Sequence, residues 1–111
     1  MIPKNQHLSA KRVDYLFKKG VKSSNNYFIV KHLTTTQLAS RFCVVVSVTL
    51  APKAVPRNRL RRQIYEIIRL QKGTFKKSFD LMMIAKPVLL QLKTQEELTK
   101  AVLLTLRPFL T

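Results

Sequence analysis

The chain has 111 residues, 46% of them hydrophobic, and carries 21 Lys and Arg against 5 Asp and Glu, a formal net charge of +16. That size holds one core, and near-half apolar content with only two glycines excludes a disordered basic tail. No apolar run approaches the ~20 residues that span a bilayer, and the N-terminus lacks the apolar stretch of a secretory signal, so the expectation is one cytoplasmic domain over residues 1–111 with no membrane partner.

Ser9 is placed to cap a short helix in which Val13, Leu16 and Phe17 recur at helical spacing and Gly20 is the stop. The Ser23, Ser24, Asn25, Asn26 cluster breaks that pattern, and residues 27–33, rich in aromatic and β-branched side chains, predict a strand. After a polar stretch over 34–40, residues 41–50 alternate. Phe42, Val44, Val46, Val48 and Leu50 share one face, and the less apolar Cys43, Val45, Ser47 and Thr49 share the other, as in a sheet packed on one side.

A turn between Pro52 and Pro56 leads into a helix that runs to about Leu70, with Pro56 in its first turn where a missing N–H costs little. Gly73 and the Lys76, Lys77 pair fall in a loop. The continuous apolar run 81–85 suits a buried central strand. From Thr94, with Glu97 as capping-box partner, Leu98, Val102, Leu103 and Leu106 repeat at helical spacing until Pro108. The order α-β-β-α-β-α implies a small sheet covered by helices, of α+β class.

The basic residues concentrate on the central helix. Leu60, Ile64, Ile67 and Ile68 form an apolar stripe, while Asn58, Arg61, Arg62, Tyr65 and Arg69 fall around the other side, so one face packs and one face is free to bind. Five arginines, Arg57, Arg59, Arg61, Arg62 and Arg69, face a single acid, Glu66, which can pair with Arg62 or Arg69. An ordinary solvated helix face intersperses its signs; this one does not. Guanidinium groups match phosphate bidentately and stack on bases, Asn58 adds an amide, Lys53 adds a charge, and the helix start at Ala54 presents free N–H groups to an anion. Together with the net charge, the pattern points to nucleic acid. Strands rather than a helix precede this helix, which argues against a helix-turn-helix and favours folded RNA over duplex DNA.

Little in the sequence suggests protein-borne chemistry. Asp14, Glu66, Asp80, Glu96 and Glu97 are scattered apart from the last pair, His7 and His32 are isolated, and no metal site is expected. Cys43, the only cysteine, reads as a small hydrophobe in a strand. Tyr27 and Tyr65 are equally readable as stacking platforms or as half-buried amphipaths.

Across residues 54–62 (Ala-Val-Pro-Arg-Asn-Arg-Leu-Arg-Arg) the sequence resembles the signature of the bacterial ribonuclease P protein family, and the resemblance extends to Phe17, Lys18, Lys19 and Gly20, to Phe28, Ile29 and Val30, to Val45, Val46 and Ser47, and to residues 80–86. It implies an α/β sandwich of αβββαβα order with a left-handed βαβ crossover, hence one short strand beyond those read above. It further implies that Arg57, Asn58, Arg59, Arg61, Arg62 and Arg69, supported by Lys53, dock on a catalytic RNA. A cleft between the first helix and the sheet, at Val13, Phe17, Ile29 and Lys31, would hold the single-stranded 5′ leader of precursor tRNA. Val13 and Phe17 are equally readable as plain core. An apolar, aromatic floor accepts any base by stacking while lysines follow the phosphates.

The family commonly places two basic residues where this chain has Val48 and Thr49, and aromatic residues at the positions of Val13 and Lys31. The resemblance implies an endoribonuclease holoenzyme in which the RNA is the catalyst, Mg2+ is held mainly by that RNA, and a monomeric protein assists removal of the leader. The alternatives are a structural or ribosomal-type RNA-binding protein with no role in cleavage, a dimeric DNA-binding regulator and an independent nuclease.

Overall fold

The computed structural model describes residues 8–36, 40–71 and 75–110; His7 and Gly73 lie outside them. Helix α1 (Ala10–Lys19) is followed by strands β1 (Val21–Ser24), β2 (Phe28–Thr34) and β3 (Arg41–Val45), helix α2 (Ala54–Leu70), strand β4 (Phe79–Ala85) and helix α3 (Gln95–Leu106), with 3₁₀ turns at Pro87–Gln91 and Arg107–Phe109. The order is αβββαβα, and the strand missing from the direct reading of the residues is β1. Its four side chains are all exposed, so it carries no apolar alternation by which it could be recognised.

The sheet order is β1-β2-β4-β3. β1 and β2 form an antiparallel hairpin, β2 pairs antiparallel with β4, and β3 runs parallel to β4 through the α2 crossover. β4 is central as expected, and its first five residues are buried.

One sheet face carries Phe28, Val30, Phe42, Val44, Phe79, Leu81 and Met83, which join Ile64, Ile67 and Ile68 of α2 and Leu98, Val102 and Leu106 of α3 in the main core. The other face is read from the register. Leu33, Asp80 and Arg41 form one row across the strands, Lys31, Met82 and Cys43 a second, and Ile29, Ile84 and Val45 a third. Helix α1 lies over this second face, with Leu16 fully buried.

The caps behave as their residue types dictate. Ser9 Oγ accepts from the Arg12 N–H at 3.2 Å, and Thr94 Oγ1 accepts from the Glu97 N–H at 3.1 Å. At Gly20 the backbone turns extended and ends α1 while its N–H still donates to the Leu16 carbonyl, and a Cβ there would lie 2.5 Å from that oxygen and 3.3 Å from the Cβ of Lys31. Close approach of α1 to β2 thus depends on the absence of a side chain.

The strand expected over 41–50 is shorter. It stops at Val45, the chain turns at 48–50, and Val48 is exposed rather than aligned with Val44. The pairing of β3 with β4 ends at Val45 opposite Ile84, after which Ser47 takes over the local hydrogen bonding. Its Oγ accepts from the Leu50 N–H at 3.1 Å and its carbonyl from the Ala51 N–H at 3.0 Å.

Candidate nucleic-acid interface

Helix α2 begins at Lys53 as N-cap, with no side chain capping its first turn, and Pro56 stands within that turn. The cations read from the sequence fall into two groups. Lys53, Arg59 and Arg62 are exposed, and among the described residues their charged groups have no hydrogen-bond or ion-pair partner. The others are half-buried and engaged within the chain. Arg57 donates to the carbonyls of Ala51 at 3.1 Å and Pro52 at 3.3 Å, which closes the turn ahead of the helix. Arg61 donates to Asn58 Oδ1 at 2.6 Å, so these two present a joined pair.

Arg69, not Arg62, takes Glu66. Its Nε donates at 2.8 Å and its Nη2 makes a shorter contact to the same oxygen. This bond holds the Glu66 carboxyl well below the usual carboxylate range and raises Arg69 further. Arg69 is therefore engaged with Glu66 on the helix surface. Arg59, Arg62, Gln63, Tyr65 and Glu66 line a depression along one flank of the helix.

Tyr65 corrects the helical-wheel reading, which placed it among the outward residues. It is 8% exposed, and its hydroxyl accepts from the Val44 N–H at 3.0 Å. Val44 lies in β3, the edge strand beyond β4, and the tyrosine covers a donor that would otherwise face outward from the sheet. Burial pushes the phenol up. The wheel misjudged it because α2 packs broadly enough to bury this flank as well as the apolar stripe. Tyr27 is half-buried against the core.

The four residues expected to line a cleft are brought together between α1 and the second sheet face. Val13 and Phe17 are four apart on α1, while Ile29 and Lys31 are two apart on the β2 face below it. Val13 and Ile29 are half-buried, whereas Phe17 is 53% exposed and is not core. The Lys31 ammonium lies 3.9 Å from the centroid of the Phe17 ring and also donates to the Phe17 carbonyl. Cys43 and Val45 continue the same face toward α2. Burial raises the Cys43 thiol, and the nearby Arg61 charge partly offsets that rise.

The residues alone did not disclose Asp80. Its carboxylate is fully buried and receives Arg12 Nε at 2.6 Å and Arg41 Nε and Nη2 at 3.0 and 2.9 Å, binding α1 to β4 and β3. One signal was available: an acid inside the apolar run 79–85 requires a cationic partner if that run is buried. The remaining acids are also occupied. Asp14 pairs with Lys18, Glu96 with Lys100, and Glu97 with the α3 cap.

His32 is a strand residue facing Phe79 and Phe109 edge-on, with ring centroids at 6.1 and 4.8 Å. Its Nδ1 is buried with no hydrogen-bond partner, and burial lowers its pKa.

A family model described as Ribonuclease P matches residues 2–107. The ribonuclease P protein components of Thermotoga petrophila and Thermotoga maritima are each 38% identical over 77 residues, 68% of this chain and 65% of their own length. The match thus spans just under two thirds of each relative. Among solved structures, the ribonuclease P protein of Thermotoga maritima superposes with a TM-score of 0.82 at 28% identity, covering 95% of this chain and 98% of that one. A mutant of the Staphylococcus aureus ribonuclease P protein gives 0.83 at 23% identity, covering 94% and 87%, and supports the fold. With a family match across nearly its whole length and the corresponding fold, the chain belongs to the ribonuclease P protein family.

Proposed function

We propose that the chain is the protein subunit of a ribonuclease P ribonucleoprotein, which binds the catalytic RNA through α2 and the 5′ leader of precursor tRNA through the α1 cleft. The observation that carries the reading is the outer surface of α2, where among the described residues Lys53, Arg59 and Arg62 have no ion-pair partner, in a chain of net charge +16. Such a surface gains from releasing the counterions condensed on a phosphate backbone. Arg57, Asn58 and Arg61 support it by fixing the entry turn and the helix face. Contacts to phosphate position a partner without reading its sequence, which suits a subunit that must accept many precursor tRNAs.

In the cleft, Phe17 and Lys31 act as a pair. In the free protein the ammonium covers the ring. A leader nucleotide that stacks on Phe17 displaces Lys31, which is then free to follow the adjacent phosphate, while Val13 and Ile29 form the apolar floor.

Catalysis belongs to the RNA in this reading, and so do the Mg2+ ions. Among the described residues no three His, Cys, Asp or Glu side chains are grouped where they could hold a metal ion. The protein works in the cytoplasm as a monomer joining one RNA. Among the described residues no helix is long and apolar enough to cross a membrane.

The test is cleavage of precursor tRNA by a bacterial ribonuclease P RNA at low Mg2+, with the protein, without it, and with Arg59→Ala and Arg62→Ala combined. Stimulation that falls in the double variant is expected. RNA binding without any stimulation would instead identify a structural RNA-binding protein, and cleavage by the protein alone would overturn the assignment of chemistry to RNA.

A further inference from the structure

The turn between β1 and β2 is tied down more heavily than a surface turn requires. Asn25 Oδ1 accepts from the N–H groups of Tyr27 at 2.8 Å and Phe28 at 2.9 Å, and Asn25 Nδ2 donates to Thr105 Oγ1 at 2.8 Å. The Lys86 N–H donates to the Tyr27 carbonyl at 2.9 Å, and Lys86 Nζ donates to the Asn25 carbonyl at 2.6 Å. Thr105 belongs to α3, so Tyr27 is held in a fixed position against the C-terminal half of that helix.

Beside it lies a cavity lined by Tyr27, Lys100, Leu103, Leu104 and Arg107. Among the described residues neither the Tyr27 hydroxyl nor the Arg107 guanidinium has a hydrogen-bond or ion-pair partner. Lys100 has only a solvent-exposed pair with Glu96 at 3.4 Å. Leu104 is 44% exposed. A rigid aromatic ring, an apolar neighbour and two available cations are the components that single-stranded nucleic acid uses: bases stack on the first two and phosphate sits between the cations.

We propose that this cavity is a second RNA site, taking an unpaired nucleotide of the RNA subunit. The inference rests on the ribonucleoprotein reading above. The RNA subunit is favoured over the leader because α3 lies with α2 on the core face of the sheet, whereas the α1 cleft opens on the opposite face. A base enters against Tyr27 and Leu104, and its phosphate bridges Lys100 and Arg107.

The experiment is assembly of the full-length protein with the RNA subunit in the absence of precursor tRNA, followed by titration at fixed salt. Tyr27→Leu and Arg107→Gln are each expected to weaken assembly about five- to tenfold, as loss of one stacked base or one phosphate contact does. Tyr27→Phe, which keeps the ring, is expected to retain the parental affinity. In the assembled holoenzyme, the preference for precursor over mature tRNA should be unchanged by Tyr27→Leu. Arg59→Ala with Arg62→Ala, measured in the same titration, reports on the α2 reading separately. Weakening by that pair but by neither Tyr27→Leu nor Arg107→Gln overturns the second site while leaving the first intact. Unchanged assembly with a reduced preference for precursor tRNA overturns it too, by assigning the cavity to the substrate.

Discussion

Arg41 grips Asp80 with two hydrogen bonds, Nε to Oδ1 at 3.0 Å and Nη2 to Oδ2 at 2.9 Å, across neighbouring parallel strands. Because Arg12 reaches the same carboxylate from α1, a fully buried charge ties to β3 and β4 a helix that contributes nothing to the main core. Asp80→Asn keeps the shape and removes the charge, leaving two guanidinium groups with no anion. We expect a loss of about 3 kcal/mol, the lower end for a broken buried pair, because both arginines retain some solvent contact. Urea unfolding should show a lowered midpoint at unchanged slope, and Arg12→Met should cost less because Arg41 keeps its partner. Parental stability in Asp80→Asn would remove this cluster from the forces that seat α1.

Tyr65 is expected to matter for stability and not for RNA affinity. Tyr65→Phe removes the acceptor for the Val44 N–H and should cost about 1–2 kcal/mol, the penalty for leaving one buried donor unpaired. A variant that folds as stably as the parent but binds RNA more weakly would return Tyr65 to the binding surface.

His32 predicts a pH dependence with a definite sign. Its folded pKa lies below the ordinary 6.5 because burial penalises the charged ring. Between those two values the unfolded chain binds a proton that the folded chain does not. The stability contribution is therefore complete above about 6.5 and is lost as pH falls through that window toward the folded pKa. Thermal unfolding between pH 7.5 and 5 should show this decline in the parent, and His32→Leu should flatten it. An equal decline in both proteins would place the titrating group elsewhere.

The Phe17 and Lys31 pair makes a prediction about salt. Lys31→Met uncovers the ring but removes one cation from the bound state, so two effects of opposite sign compete. The salt slope of leader affinity should fall by about 0.7, as for one lost phosphate contact on a single strand. The variant should bind the leader more weakly than the parent at low salt and more tightly at high salt. Parallel salt plots would mean that Lys31 never leaves the ring for a phosphate.

Much of this was readable from residue order, and the failures have particular causes. Ser9, Gly20, Thr94 and Glu97 marked helix ends correctly because capping is chemistry local to a few residues. The apolar run at 81–85 identified the central strand because a strand covered on both faces is nearly continuous in apolar residues, Asp80 being the exception that its two arginines allow. β1 was found only through family resemblance, since an exposed edge strand has no periodic signature. The strand over 41–50 was drawn too long because alternation continues in the side chains after the pairing with β4 ends. On α2 the apolar stripe was legible, but the burial of Tyr65 depends on the edge strand β3, which no helical wheel contains. The partition of arginines into engaged and free groups was likewise invisible, because Arg57 bonds to backbone and Glu66 has two candidate partners on its helix face, Arg62 four residues before it and Arg69 three after.

The sheet order also governs when the molecule can assemble. β2 and β3 never touch each other; each is hydrogen-bonded to β4, the last strand to be synthesised. Until residues 79–85 have left the ribosome, the β1–β2 hairpin and β3 each carry an inner edge of unpaired amides, and α2 has no completed sheet to cover. The sheet therefore closes only once β4 has emerged, when a single strand satisfies both edges at once.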